Sequence, residues 1–375
     1  MHIKYNNFMV RIIDGLSDFK PVIDILKKGR PIAFPTDTVY GIGVDAFNSE
    51  AISLIYKIKK RTEKKPLVLF VKDRETIKRY AYINKTAQKL IENFLPGPLT
   101  LILKAKNRAP EGVVTKKGTV GIRIPDNEIV SKLLREHSHP LATTSANISG
   151  EDEISSASSI ASIFKNRLGI VVDGGELKSK IPSTVLDCSV FPPILLRKGR
   201  VSIFSLEKFT RREIKLKREL GLVLLLVCTG NCCRSPMGVG VLKKKLPYWV
   251  KKRVRILSCG TSAFGGSPPT ENAKIAARER GADISLNRSR SLSRDLITEA
   301  DLILVFERKH LERVKDLVPE SADKTFLLKE FKKRKSISDE NIKDPIGGSL
   351  QVYRNCISEI EKSLKPVIKY LERKI

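Results

Sequence analysis

The stretch Leu222-Val223-Leu224-Leu225-Leu226-Val227-Cys228-Thr229-Gly230-Asn231-Cys232-Cys233-Arg234-Ser235-Pro236 decides how the second half of the chain folds. An apolar run rich in branched residues reads as a buried strand, and it stops at a short polar loop. Pro236 suits the first turn of a helix. A strand feeding a helix through such a loop belongs to a parallel sheet, with the loop at the carboxyl end of the strand. Backbone N–H groups at a helix start can cradle a phosphate there. A cysteine in that cradle is expected to have a lowered pKa. Arg234, six residues after Cys228, can fold back and grip phosphoryl oxygens with two parallel bonds. Ser235 can donate to the Cys228 sulfur.

Working outward, Val254–Leu257, Asp301–Phe306 and Lys324–Leu328 read as further strands. Helical segments near Pro236–Leu246, Glu271–Gly281 and Arg308–Leu317 lie between them. The pattern is a doubly wound parallel sheet closed by a long helix from Ser349, in which Pro366 is expected to make a kink. Asp344-Pro345, on the loop before that helix and beside Gly347-Gly348, is the candidate proton donor for a leaving group.

The first half is α/β as well. Pro31–Phe34, Leu67–Val71, Leu99–Leu103, Val120–Ile124, Gly169–Val172 and Thr184–Leu186 read as strands. Ala51, Ile52, Leu54, Ile55 and Ile58 recur at helical spacing after a cap at Asn48 or Ser49. There is no P-loop and no Gly-x-Gly-x-x-Gly. Three polar clusters lie at strand ends instead: Pro35–Gly43, Lys59-Lys60-Arg61 with Lys65-Pro66-Leu67, and Thr143–Gly150. Cations and hydroxyls of this kind can neutralise and approach a triphosphate. The stretch Glu207–Glu219, with Lys208, Arg211, Arg212, Lys215, Lys217 and Arg218, reads as a linker or a solvated helix. The expected domains are 1–205 and 221–375, with 206–220 as a basic linker.

The chain's 375 residues suit two or three domains. With 41% hydrophobic and 30% charged residues, it is not a disordered chain. The net charge is +29, from 70 basic and 41 acidic residues. Divided at Ser205, it is +13 and +16, so it is no single basic tail. Such a charge favours polyanions such as RNA or phosphoproteins, although few aromatics accompany it to stack on bases. No apolar run is long enough to span a bilayer. Met1–Ile13 has no secretory pattern, so a cytoplasmic location and no membrane partner are expected. The six cysteines are expected as reduced thiols. No metal site is expected, with His137 and His139 in a loop.

The loop Cys-x-Gly-Asn-x-Cys-Arg-Ser formed by Cys228–Ser235 resembles that of the low-molecular-weight phosphotyrosine phosphatase family, from Gly221 onward. The resemblance implies Cys228 as nucleophile, Arg234 as phosphate binder, Asp344 as general acid, and Asn231 and Ser235 as loop supports. It implies no cofactor, and a Cys233 able to pair reversibly with Cys228. The family includes tyrosine phosphatases, protein-arginine phosphatases and arsenate reductases. Asp344–Ser349 lacks the tyrosine pair of tyrosine-specific members, and with Asp323–Glu330 looks more like the arginine phosphatases. Those carry threonine where this chain has Cys232, and tyrosine phosphatases usually carry isoleucine. Phe264 is a candidate for the pocket mouth.

Residues 12–204 resemble the YrdC-like threonylcarbamoyl-AMP synthase family, with a twisted mixed α/β fold. The Lys-x-Arg and Ser-x-Asn pairs are Lys59, Arg61, Ser145 and Asn147. The Gly-x-Arg-x-Pro strand is Gly121–Pro125, the Pro-Ser-Thr-Val turn Pro182–Val185, and the Leu-Arg-x-Gly stretch Leu196–Gly199. The resemblance implies synthesis of threonylcarbamoyl-AMP from L-threonine, bicarbonate and ATP, with Mg2+, for the tRNA-modification machinery. It implies ATP contacts from Lys59, Arg61, Lys65, Thr119, Ser145, Asn147 and Arg197. The implied threonine contacts are Thr38, Arg123, Thr143 and Ser183, with Arg123 on the carboxylate. Phe70 replaces a histidine that many longer members place near threonine, and Glu153 replaces a serine that some offer to ATP. The reading is thus a bifunctional enzyme acting also on a phosphorylated protein. The alternatives are a synthase with a regulatory phosphatase-like domain, and an RNA-binding protein whose positive face contacts double-stranded RNA.

Overall fold

The computed structural model describes residues 10–15, 18–62, 65–177, 181–331 and 340–375. The chain divides into two compact units, Met1–Val201 with Leu206–Ile214, and Ser202–Ser205 with Lys215–Ile375. Among the described residues, no helix is long and apolar enough to cross a membrane.

The first unit is a mixed sheet flanked by helices. Its strands lie in the order Arg11–Asp14, Ile170–Asp173, Ile32–Phe34, Gly41–Asp45, Leu141–Ser145, Val68–Phe70, Thr119–Arg123, Leu99–Ala105, Thr184–Asp187 and Ile194–Arg197. Gly41–Asp45 runs antiparallel to Leu141–Ser145, with Gly41 opposite Ser145 and Asp45 opposite Leu141. Val68–Phe70 pairs parallel with Thr119–Arg123, so Phe70 stands beside Arg123. The helix Ser49–Ile58 starts at Asn48, whose side chain accepts the Ala51 N–H at 2.9 Å. Such a cap contributes about 1 kcal/mol. The core gathers Phe19, Val22 and Leu26 of the helix Lys20–Lys27, Val130 and Leu133 of the helix Glu128–His137, and Phe34, Leu141 and Val172 of the sheet. Burying each such side chain contributes roughly 1.5–3 kcal/mol. His137 therefore ends a helix rather than lying in a loop.

The second unit is an all-parallel sheet in the order Val254–Gly260, Leu222–Cys228, Leu302–Val305, Thr325–Leu327. The first strand in sequence lies inside, so its carboxyl end opens at the point where the winding reverses. Leu225, Val227, Ile303, Val305 and Leu327 form its core with Ile297 and Val314. The helix Arg234–Lys245 is buried from Arg234 to Leu242. The helix Leu350–Lys374 runs through Pro366 as one element. The proline removes a single bond to the Lys362 carbonyl without ending it. Within 206–220, Leu206, Thr210, Ile214 and Leu216 are buried, whereas Lys208, Arg211, Arg212, Lys217 and Arg218 are exposed. Apolar burial organises this stretch, and its charges decorate the outer side.

Candidate active sites

In the first unit a pocket opens where several strand ends converge. Thr36, Thr38, Tyr40, Arg61, Phe70, Thr100, Arg123, Thr143, Ser145, Ser183 and Arg197 line it. Arg123 is buried, and its Nη2 meets Asp37 Oδ1 at 2.6 Å. Its Nη1 donates to Thr38 Oγ1 at 3.0 Å and its Nε to the Gly97 carbonyl at 3.0 Å. The guanidinium lies 5.6 Å from the centre of the Phe70 ring, over its π face. Arg197 donates to the Ser183 carbonyl and hydroxyl at 3.0 and 2.9 Å. The Ser183 hydroxyl also meets Thr100 Oγ1 at 2.9 Å. Thr143 Oγ1 donates to the Val68 carbonyl at 2.9 Å. Arg61 is held by the carbonyls of Lys65 and Pro66 at 2.8 and 3.1 Å.

Lys59 sits behind this rim, 1% exposed. Its Nζ reaches Asn147 Oδ1 at 3.3 Å and also bonds the Ser145 carbonyl. Burial first, then the nearby Arg61 charge, pull its pKa down to about 7, against the pull of Glu153. Burial pushes Glu153 up, opposed by Lys59, Arg197 and Ser145, and its Oε2 has no partner among the described residues.

Seven residues singled out in the sequence therefore meet in one pocket: Thr38, Arg61, Arg123, Thr143, Ser145, Ser183 and Arg197. Lys59 and Asn147 join it through Ser145, whose hydroxyl donates to Asn147 Oδ1 at 2.6 Å. The side chains of Lys65 and Thr119 are not among the pocket residues. Lys65 is exposed and offers its carbonyl. Thr119 starts the strand that Arg123 ends, and it bonds Thr115 at 2.7 Å. Four residues along a strand span roughly 13 Å. Sequence reasoning gave no role to Thr36, Tyr40 and Thr100. Thr36 and Tyr40 lie in the first quoted cluster, whereas Thr100 had no signal beyond its place in a strand.

In the second unit the loop after Leu222–Cys228 closes around the Cys228 sulfur. Ser235 Oγ lies 3.0 Å from it and the Asn231 N–H donates to it at 3.3 Å. Asn231 has φ 54°, a left-handed conformation that asparagine tolerates better than most residues. Its amide donates to Ser235 and Ser258 at 2.8 and 3.0 Å and accepts the Arg290 N–H at 3.0 Å. Arg234 is 0% exposed. It donates to the Ile342 carbonyl at 2.9 Å, to Thr229 Oγ1 at 3.1 Å, and to Asp344. Its Nη1 also lies 3.1 Å from Glu307 Oε2, an ion-pair contact rather than an aligned hydrogen bond.

The loop thus gathers Cys228, Asn231, Arg234, Ser235 and Asp344. Burial pushes the Cys228 thiol up, opposed by Ser235, Arg234 and the loop's N–H groups. This reverses the lowered value expected from the sequence. The sulfur is closed off from water, and two carboxylates already offset the Arg234 charge. Cys232 and Cys233 lie 3.6 Å apart at sulfur. The Cys233 sulfur also meets Thr270 and Tyr353, each at 3.5 Å. The contact with Cys232 pulls the Cys233 thiol down. Phe264 is 87% exposed. Sequence reasoning missed Glu307 and His310. The Glu307 N–H donates to His310 Nδ1 at 3.2 Å, and His310 Nε2 meets Thr229 Oγ1 at 2.9 Å. Their only sequence signal was a polar pair just beyond a strand's carboxyl end.

The family model described as "Telomere recombination", covering Sua5, YciO and YrdC proteins, matches residues 24–199. The model of the low molecular weight phosphotyrosine protein phosphatases matches residues 223–375. A Methanocaldococcus jannaschii protein named as a threonylcarbamoyl-AMP synthase is 39% identical over 193 residues, 50% of this chain and 91% of its own. A threonylcarbamoyl-AMP synthase of Pyrococcus abyssi is 36% identical over 184 residues, 49% of this chain, and the match spans only 54% of its length. The solved structure of a doubly substituted P. abyssi Sua5 aligns with 85% of this chain and 98% of its own, at 26% identity and TM-score 0.53. An arginine phosphatase from Geobacillus stearothermophilus is 34% identical over 40% of this chain and 93% of its own, with TM-score 0.36. On the first family model and the M. jannaschii relative, the chain belongs to the Sua5/YrdC threonylcarbamoyl-AMP synthase family through its N-terminal half, and its C-terminal half carries a domain that matches the low molecular weight phosphotyrosine protein phosphatase model.

Proposed function

We propose that the chain is a bifunctional enzyme. Its first unit joins L-threonine, bicarbonate and ATP into threonylcarbamoyl-AMP, with pyrophosphate and water as the other products. The observation that carries this reading is the convergence of Arg61, Arg123 and Arg197 with the hydroxyls of Thr38, Thr143, Ser145 and Ser183 in one pocket. Three guanidiniums suit a triphosphate and a carboxylate at once. Arg123 would grip the threonine carboxylate, with Thr38 and Thr143 beside it. Arg61, Ser145 and Arg197 would face the nucleotide, backed by Lys59 and Asn147. The carbamate oxygen attacks the α-phosphorus, and the guanidiniums stabilise the charge that grows on the departing pyrophosphate. Mg2+ would arrive bound to the triphosphate as part of the substrate. The product suits the modification of a tRNA adenosine. The test is pyrophosphate release that requires both threonine and bicarbonate. Release without threonine, or none at all, would overturn the assignment.

The second unit hydrolyses phosphorylated protein side chains. Its support is the Cys228 loop with Arg234 and Asp344 in contact. The Cys228 sulfur attacks phosphorus, Asp344 protonates the leaving oxygen or nitrogen, and water then releases phosphate from the cysteinyl phosphate. Asp344 contacts Arg234, so the entering phosphoryl group displaces it toward the leaving group. Peptides bearing phosphotyrosine or phosphoarginine, tested with wild type and Cys228→Ser under reducing conditions, decide the substrate class. Hydrolysis of neither would leave the synthase as the sole activity.

A further inference from the structure

We propose that Asp45, His137 and His139 form a binding site for a first-row divalent metal ion, Zn2+ being the best-fitting species. The three residues come from separate pieces of chain that the sheet register brings together. Asp45 ends its strand opposite Leu141. His137 ends the preceding helix, and Ser138 at φ 68° turns the chain back. His139 then lies two residues upstream of Leu141, and the Ala46 N–H ties the crossing to the Pro140 carbonyl at 3.1 Å. Both histidines therefore face one carboxylate.

The geometry suits a small ion. Asp45 Oδ2 lies 3.1 Å from His137 Nε2 and 2.9 Å from His139 Nδ1. All three ligand atoms fall within 4.8 Å of one another. Zinc bonds of roughly 2.0–2.2 Å set neighbouring ligand atoms of a tetrahedron about 3.3 Å apart. The two histidine–carboxylate pairs need to spread by only a few tenths of an ångström, and the two imidazole nitrogens lie no more than 4.8 Å apart. The other carboxylate oxygen is fixed by the Phe47 N–H at 2.8 Å, an outer contact of the kind that orients metal ligands. Two imidazoles with one carboxylate favour zinc and its neighbours over Mg2+ or Ca2+. His137 is 2% exposed and His139 55%, so one side of the site is open to water as a further ligand.

One feature limits the affinity. A metal on Nε2 leaves the proton of His137 on Nδ1, which is buried with no partner among the described residues. A missing outer partner costs about 10–100-fold in affinity. The site would tie the helix end, the loop and the far end of the strand that begins at the pocket residue Gly41.

The test uses the full chain with its cysteines reduced, since Cys232 and Cys233 compete for the same ions. Zn2+ uptake is counted by equilibrium dialysis for wild type, His139→Ala and Asp45→Asn. Wild type is expected to hold one more equivalent than His139→Ala, with Asp45→Asn weakened by more than about tenfold. Co2+ should give a wild-type minus His139→Ala difference spectrum with visible ligand-field bands and no thiolate charge-transfer band. Equal uptake by wild type and His139→Ala, or a difference spectrum carrying that thiolate band, would overturn the proposal. His139 is exposed, so its loss should leave the far-ultraviolet dichroism unchanged and the comparison valid.

Discussion

Glu307→Gln separates stability from ligand binding in the phosphatase unit. The fully buried Arg234 stands between Glu307, at 3.1 Å, and Asp344. Removing one charge leaves the other carboxylate, the Ile342 carbonyl and Thr229 in place. The loss should therefore be that of a single charged contact, about 1.5–3 kcal/mol. It should stay below the 3–5 kcal/mol or so of a buried charge left wholly unpaired. For a unit of this size that lowers Tm by roughly 3–10 °C. Oxyanion binding should move the other way. Arg234 stays in position with one fewer carboxylate offsetting its charge, and relief of the Glu307–oxyanion repulsion by about 1–2 kcal/mol would tighten tungstate roughly tenfold. Glu307 has a lowered pKa in the fold: burial raises it, and Lys309 and Arg234 more than offset this. Its stabilisation is present above the unfolded glutamate value of about 4.3 and is lost as pH falls through the folded value. Wild-type and variant Tm should converge as pH drops from 7 through that range. Calorimetry and tungstate titration read both effects. Weaker tungstate binding in the variant, or a Tm gap that persists in acid, would refute the reasoning.

Other outcomes follow from the same geometry. Cys228→Ser should abolish turnover of an artificial phosphate ester yet keep tungstate binding, because the cradle is backbone; residual turnover would remove Cys228 as nucleophile. Asp344→Asn should cut the rate by about 10²–10⁴, most for the poorest leaving groups, and a leaving-group-independent loss would count against a proton donor. Arg123→Ala should raise the KM for threonine far more than that for ATP, as read by pyrophosphate release. Lys59, lowered to about 7, should gain its proton as pH falls through that value and tighten ATP; in Lys59→Met that part of the pH dependence should vanish. A Cβ at Gly240 would lie 2.7 Å from Ile284 Cγ2, so Gly240→Ala should cost about 1–3 kcal/mol in a denaturant melt.

The phosphatase loop was legible because its chemistry is local. Cysteine, asparagine, arginine and serine sit within eight positions, and strand, loop and helix follow from the apolar run and the proline. The synthase pocket was legible only as fragments. Arg123 and Arg197 are far apart in sequence and meet through the register of separate strands. Strand Gly41–Asp45 and strand Leu141–Ser145 escaped notice because glycine, threonine and serine mimic turns. Sheet neighbours on both sides overrode that local preference. Glu307 and His310 act by long-range geometry, which periodicity does not report. The Cys228 environment misled for the same reason. Its sequence shows the donors but not the burial that raises the thiol against them.

The contact between His310 and Thr229 fixes a hydrogen inventory. His310 Nδ1 accepts a backbone N–H, so the ring proton must sit on Nε2. Burial first, then the Arg234 charge, hold the ring's pKa at about 4, which keeps it neutral near pH 7. The Thr229 oxygen therefore accepts from both His310 and Arg234, and both its lone pairs are spoken for. Its own hydrogen can only be given away. A threonine that could otherwise serve either way becomes an obligate donor at the rim of the cradle, matched to an oxyanion and blind to any guest that offers only hydrogens.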